Sequence, residues 1–185
     1  MTTHALQGSQ TGKRWFYIGV IGAVAGIVGL IVDPERTWAS WLHGALLPLT
    51  IAAGAAAFVA INHVSNAGWA TTLRRIPEAM MNWIPIGGLI LLIGAIGGVH
   101  LFGGGHATHG EDHGIRTAWL DPTFLIARLG VIIALWTWLG WRIRNASYAQ
   151  DGDGDTRWTR ILRNRSALFL VVFAITFTAA SFDWI

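Results

Sequence analysis

The chain has 185 residues and a formal net charge of +3; 53% of its residues are hydrophobic and only 12% are charged, against about 25% charged in an ordinary soluble domain. That balance excludes a water-soluble globular class and leaves an integral membrane protein, to which the 23 Gly are suited because glycine lets membrane helices approach closely. The absence of Cys removes disulfides, thiolate metal sites and thiolate-held iron–sulfur clusters from this chain.

Five apolar segments follow in chain order. The first, WFYIGVIGAVAGIVGLIV from Trp15 to Val32, is closed by Asp33-Pro34, and its 18 residues rise about 27 Å as a helix, close to the roughly 30 Å of bilayer hydrocarbon. It is preceded by a polar tail, residues 1–14, ending in Lys13-Arg14; no small-residue cleavage pattern follows the segment, so it reads as a retained helix rather than a removed signal peptide. The second segment runs from about Trp41 to Ile61, the third from Trp83 to Phe102, the fourth from Phe124 to Trp141 and the fifth from Ala167 to Ile185. All are of spanning length, which makes residues 15–185 an all-α transmembrane domain of about five helices. Six of the eleven Trp (Trp15, Trp41, Trp83, Trp119, Trp141 and Trp184) fall near segment ends, where an indole keeps its ring in the interface and its N–H wet.

If all five segments span, Lys13, Arg14, Arg74, Arg75, Arg142, Arg144, Arg157, Arg160, Arg163 and Arg165 lie on one side and only Arg36 and Arg116 on the other. The positive-inside bias then predicts a cytoplasmic N-terminus, a cytoplasmic loop over 142–166 and a cytoplasmic (inner) membrane location. In that loop Arg157, Arg160, Arg163 and Arg165 stand beside an anionic lipid surface, each worth roughly 1 kcal/mol of attraction.

Loop chemistry is thin. LFGGGHATHGEDHG gathers His106, His109, Glu111, Asp112 and His113, residue types that bind divalent metals. The run matches no ligand motif, its three glycines give it little rigidity, and no GK[ST] follows to make a phosphate loop, so it reads as a flexible polar loop. SYAQDGDGDTRW alternates Asp and Gly without the spacing or closing Glu of a calcium loop and reads as a solvated linker. No metal site and no catalytic residue is expected.

Polar groups at membrane depth carry more weight, because burying them unpaired is costly. Asn62 and His63 end the second segment, His43 begins it, His100 ends the third, Arg128 lies near the start of the fourth, and Asp183 ends the fifth. Arg128 and Asp183 come to similar depth on helices adjacent in sequence. A structural ion pair is one reading; a proton-conducting or quinone-facing pair, with His63 and His100 as further polar steps, is the other. The histidines share no level within the bundle, which argues against haem held between helices. No further acid is expected inside the helices from which to build a proton wire.

The stretch INHVSNAGWATTLRRIPEAMMNWIP, Ile61 to Pro85, together with the final SFDWI, resembles the F-type membrane subunit of alternative complex III, a bacterial quinol:electron-acceptor oxidoreductase, and through it the wider polysulfide-reductase-type (NrfD-like) family. The resemblance covers this whole chain and roughly the N-terminal half of a family member, in which SFDWI leads on to a second set of helices. It implies one peripheral helix plus a four-helix bundle, and a non-catalytic subunit of a quinol-oxidising electron-transfer complex with a structural role and a contribution to proton translocation. The implied partners are a paralogous quinol-binding membrane subunit, an iron–sulfur subunit, haem c subunits, small membrane subunits and phospholipids, with no nucleic acid. Haem c and iron–sulfur clusters belong to those partners, quinone or quinol lies nearby, and no cofactor is held by this chain. The alternative is half of a transporter or channel working as a homo-oligomer, for which Pro48 and Gly54 in the second segment would mark a discontinuous helix.

Overall fold

The computed structural model describes residues 3–99 and 121–182, and every regular element among them is helical. Helix α1 spans Thr3–Val32, α2 Pro34–Val64, α3 Arg75–Met81, α4 Trp83–Gly97, α5 Pro122–Asp153 and α6 Arg157–Ser181, with a 3-10 turn at Gly68–Thr71. Five stretches, α3 and α4 counting as one, are long and apolar enough to cross a bilayer. The chain is therefore an all-α, multi-pass membrane protein.

The chain divides into two compact units, residues 1–41 and 42–185. In the first, α1 begins at Thr3, so most of the expected polar tail is helical. Asp33 is the sole residue between α1 and α2. Its N–H donates to the Gly29 carbonyl at 2.8 Å, its carboxylate accepts the Arg36 N–H at 3.2 Å, and Pro34 takes the first helical position, where a missing N–H costs nothing. Gly29 makes room for this elbow: a Cβ there would lie 2.6 Å from Thr37 Oγ1. No described side chain of α1 is buried, and Phe16, Ile21, Ile27, Ile31 and Val32 are among its widely exposed apolar groups. In water such a surface would aggregate, whereas its length and apolar composition suit a lipid surrounding.

The second unit is a four-helix bundle of α2 from Leu42 onward, α3–α4, α5 and α6. Small residues bring the helices together. Ala45, Ala52, Ala53, Ala56 and Ala60 form the buried stripe of α2, and Gly88 of α4 sits against α5, where a Cβ would lie 2.3 Å from Ile133 Cγ2. Bulky groups fill the rest: Ile84, Leu91, Ile143, Leu162 and Phe169 are almost completely enclosed. Across α5 and α6, Trp136 donates its indole N–H to Thr176 Oγ1 at 2.8 Å and packs on Phe173 with ring centroids 5.0 Å apart. Thr176 in turn donates to the Val172 carbonyl at 2.7 Å, so both polar groups in this apolar layer are satisfied.

Helix ends follow from local chemistry. Asp121 caps α5, accepting from the N–H of Thr123 and of Phe124, with Pro122 at the first position. Asn66, left-handed at φ 49°, follows α2 while the Ala67 N–H reaches back to the Asn62 carbonyl. Pro85 cannot donate to the Met81 carbonyl, and the helix is interrupted one residue later in chain order than that carbonyl, at Asn82, separating α3 from α4.

Two expectations change. The stretch 142–166, expected as a loop, is helical on both sides of a three-residue turn at 154–156, because Ile143, Ala146 and Ser147 continue the buried face of α5 beyond the hydrophobic run. Gly154, left-handed at φ 66°, ends α5, and the Asp155 carboxylate accepts the Arg157 N–H at 2.8 Å as α6 begins. Likewise the 63–82 connection contains a 3-10 turn and all of α3. The discontinuous helix that the transporter alternative requires is not seen in α2, which runs unbroken through Pro48 and Gly54.

Candidate functional site

One end of the bundle collects the charge. The end of α2, all of α3, the end of α5 and the start of α6 meet there, in the connections that the basic-residue count placed on one side. Here Glu78, on α3, is 1% exposed, and Ser147, on α5, is fully buried. Ser147 Oγ donates to Glu78 Oε1 at 2.5 Å, while Arg75 Nη1, one helical turn before Glu78, donates to its other oxygen, Oε2, at 2.8 Å. Both carboxylate oxygens are thus held, one by a neutral donor from a neighbouring helix and one by a guanidinium.

The pairing extends outward. Arg74 and Arg75 both bridge to Asp151 at the end of α5. Arg74 Nη1 also reaches Gln150 Oε1 at 3.5 Å, and Gln150 Nε2 donates to Thr159 Oγ1 of α6 at 3.0 Å. Arg75 stacks over the Tyr148 ring at 4.7 Å. Two guanidiniums and two carboxylates balance in charge, which is what permits a carboxylate to remain at the margin of an apolar bundle.

Beside this cluster lies a cavity of about 450 Å3, lined among others by Asn62, His63, Arg74, Thr71, Gln150 and Thr159. His63, in the last turn of α2, is half-buried, and its Nε2 is enclosed without a hydrogen-bond partner. The arrangement offers an imidazole and a carboxylate as proton acceptors, a hydroxyl between helices, and a cavity of mixed lining, with polar groups among mostly apolar ones, large enough for water.

The residues singled out from sequence fare differently. His63 belongs to this site. Arg128 is half-buried near the start of α5, its guanidinium 4.9 Å over the Phe124 ring. Asp183 and His100, and with them the Arg128–Asp183 pair, lie outside the described residues, as does the cluster His106, His109, Glu111, Asp112 and His113. Among the four arginines assigned to the lipid surface, Arg157, Arg160 and Arg163 are exposed, whereas half-buried Arg165 turns its Nη1 to the Arg142 carbonyl of α5 at 2.6 Å. Arg165 therefore ties α6 to α5.

Glu78, Ser147 and Asp151 are the groups that sequence reasoning missed. The expectation that the helices hold no further acid is corrected by Glu78, a buried helical carboxylate within the Arg75–Gly97 candidate span. Among the described residues no three His, Asp or Glu side chains converge as a metal site. No family model matches the chain, and no curated protein sequence matches it.

Proposed function

We propose that the chain is a membrane-integral subunit of a quinol-oxidising electron-transfer complex of the alternative complex III type, chiefly structural and contributing a proton-handling site at its Arg-rich end. The observation that carries this reading is the enclosed Glu78 carboxylate, held by Ser147 and Arg75 beside a cavity that His63 lines. An ionisable group at membrane depth is by default a functional residue, and carboxylate, imidazole and hydroxyl are the parts of a proton relay. The motif Ile61–Pro85, on which the resemblance rests, contains His63, Arg74, Arg75 and Glu78. In this reading the N-terminus is cytoplasmic and the cluster faces the cytoplasm of the inner membrane. Haem c and iron–sulfur clusters sit in partner subunits, quinol is oxidised at a paralogous membrane subunit, and the unburied surface of α1 faces lipid or those partners.

Extraction of the tagged chain in a mild detergent tests the assignment: haem c and iron–sulfur subunits co-purify with it. Recovery of the chain as a homo-oligomer free of redox partners would overturn the reading in favour of a transporter half. Within the assembled complex, Glu78→Gln lowers the proton-to-electron ratio while quinol oxidation persists; an unchanged ratio leaves Glu78 with a purely structural role.

A further inference from the structure

A second cavity, unrelated to the charged cluster, runs as a groove of about 690 Å3 along the junction of α4 and α5. Its lining is apolar for most of its length, from Leu92 and Gly130 past Leu89 and Ala134 to Trp141, and it closes on Asn82 and Arg144 at the Arg-rich end. Gly130 to Arg144 is about 21 Å along the helix at 1.5 Å per residue, which matches one leaflet with its headgroup layer, half of roughly 40–45 Å. Arg144 lies one turn past the apolar run that ends at Trp141, at the depth of lipid phosphates.

Two polar atoms in this lining lack a partner. Arg144 Nε is enclosed with no hydrogen-bond acceptor, and so is Thr137 Oγ1, about two turns deeper. Among the described residues no acidic side chain lines the groove, and the formal charge they bring to it is positive. An enclosed guanidinium N–H without an acceptor is costly, and Arg144 Nε finds none within hydrogen-bond distance. We propose that this groove is a binding site for one anionic phospholipid, an acyl chain lying along α4 and α5 and the phosphate accepting from Arg144. The lipid's chemistry matches the site at each level: hydrocarbon against Leu92, Ala134 and the bare backbone of Gly130, and a phosphate at the guanidinium. A neutral quinone would satisfy the apolar part without answering the charge.

The site is tested on the full chain with whatever subunits accompany it, equilibrated in nanodiscs of equal phosphatidylglycerol and phosphatidylcholine, released into mild detergent and weighed by native mass spectrometry. The wild type is expected to retain one phosphatidylglycerol in roughly fivefold preference over phosphatidylcholine, the scale of one juxtamembrane basic contact. Arg144→Gln abolishes the preference, and Arg163→Gln, at an exposed position, keeps it. Gly130→Leu fills the groove, since a side chain there meets open space, and sheds the lipid while the fold is retained. Equal retention of the two lipids by the wild type overturns the proposal, as do a preference surviving Arg144→Gln, a retained quinone mass, or a partner helix cross-linked into the groove.

Discussion

Ser147 of α5 donates its hydroxyl to Glu78 of α3 across 2.5 Å, with both side chains sealed from solvent. Replacing the serine by alanine leaves one carboxylate oxygen enclosed without a donor, a cost of about 1.5–3 kcal/mol for a hydrogen bond to a charged group. Thermal unfolding in detergent, followed by tryptophan fluorescence, is expected to show Ser147→Ala clearly destabilised and Glu78→Ala at least as damaging. In the double variant the penalties are expected to add to less than their sum, because each single change already breaks the same bond.

Asp151 receives both Arg74 and Arg75, but its side chain is 38% exposed and that of Arg75 42%. Solvent screening at that exposure keeps each link to about 0.2–1 kcal/mol. Asp151→Asn is therefore expected to be mild, and its effect to shrink at high salt. The effect of Ser147→Ala, whose bond is buried, is expected to be insensitive to salt; a salt-independent loss in Asp151→Asn would show that the exposed pairs do more than their screening permits.

Gly88 lets α4 lie close against α5 at Ile133. Gly88→Ala places a methyl where Ile133 already is, an overpacking expected to cost about 1–3 kcal/mol. Ile133→Ala alone opens a cavity at a site only 6% exposed. Combined, the methyl enters that space, and the double variant is expected to be more stable than the sum of the single changes; simple additivity in the unfolding assay would disprove the contact.

The sequence contains no Cys, so single cysteines report topology without background. Ser147 is unsuitable as a reporter because it is buried, whereas Asn164 is exposed on α6. Cysteines at Asn164 and at Thr108 are expected to react with an impermeant maleimide from opposite faces of the membrane. Reaction from the same face would remove the proposed orientation.

What the sequence reveals is set by the scale of the signal. The spans are legible because some twenty consecutive apolar residues have no other account. The Arg-rich end is legible because charge adds along connections whatever their conformation. The Glu78 site is not, for its parts are local and its partners distant: Ser147 is 69 residues from Glu78, and hydropathy cannot tell a helical connection from a loop. A signal was present nonetheless. Ile143, Ala146, Ser147 and Gln150 recur at helical spacing beyond Trp141, and a reading by periodicity rather than by hydropathy would have extended α5 and placed Ser147 on its inner face. The Arg128–Asp183 reading weighed charges only within the hydrophobic runs and passed over Glu78, which lies just before the third run but inside the helical span Arg75–Gly97.

The single residue between α1 and α2 has a mechanical consequence. With Asp33 alone as the joint, the helices share a rotational phase, so adding or removing one residue there turns one relative to the other by about 100°, the angular step of an α-helix with 3.6 residues per turn. The α1 surface that carries Phe16, Ile21 and Ile27 is thereby indexed like a cam on a shaft. An alanine inserted after Asp33 would leave its composition and hydropathy almost untouched and still present a different set of side chains toward whatever α1 meets.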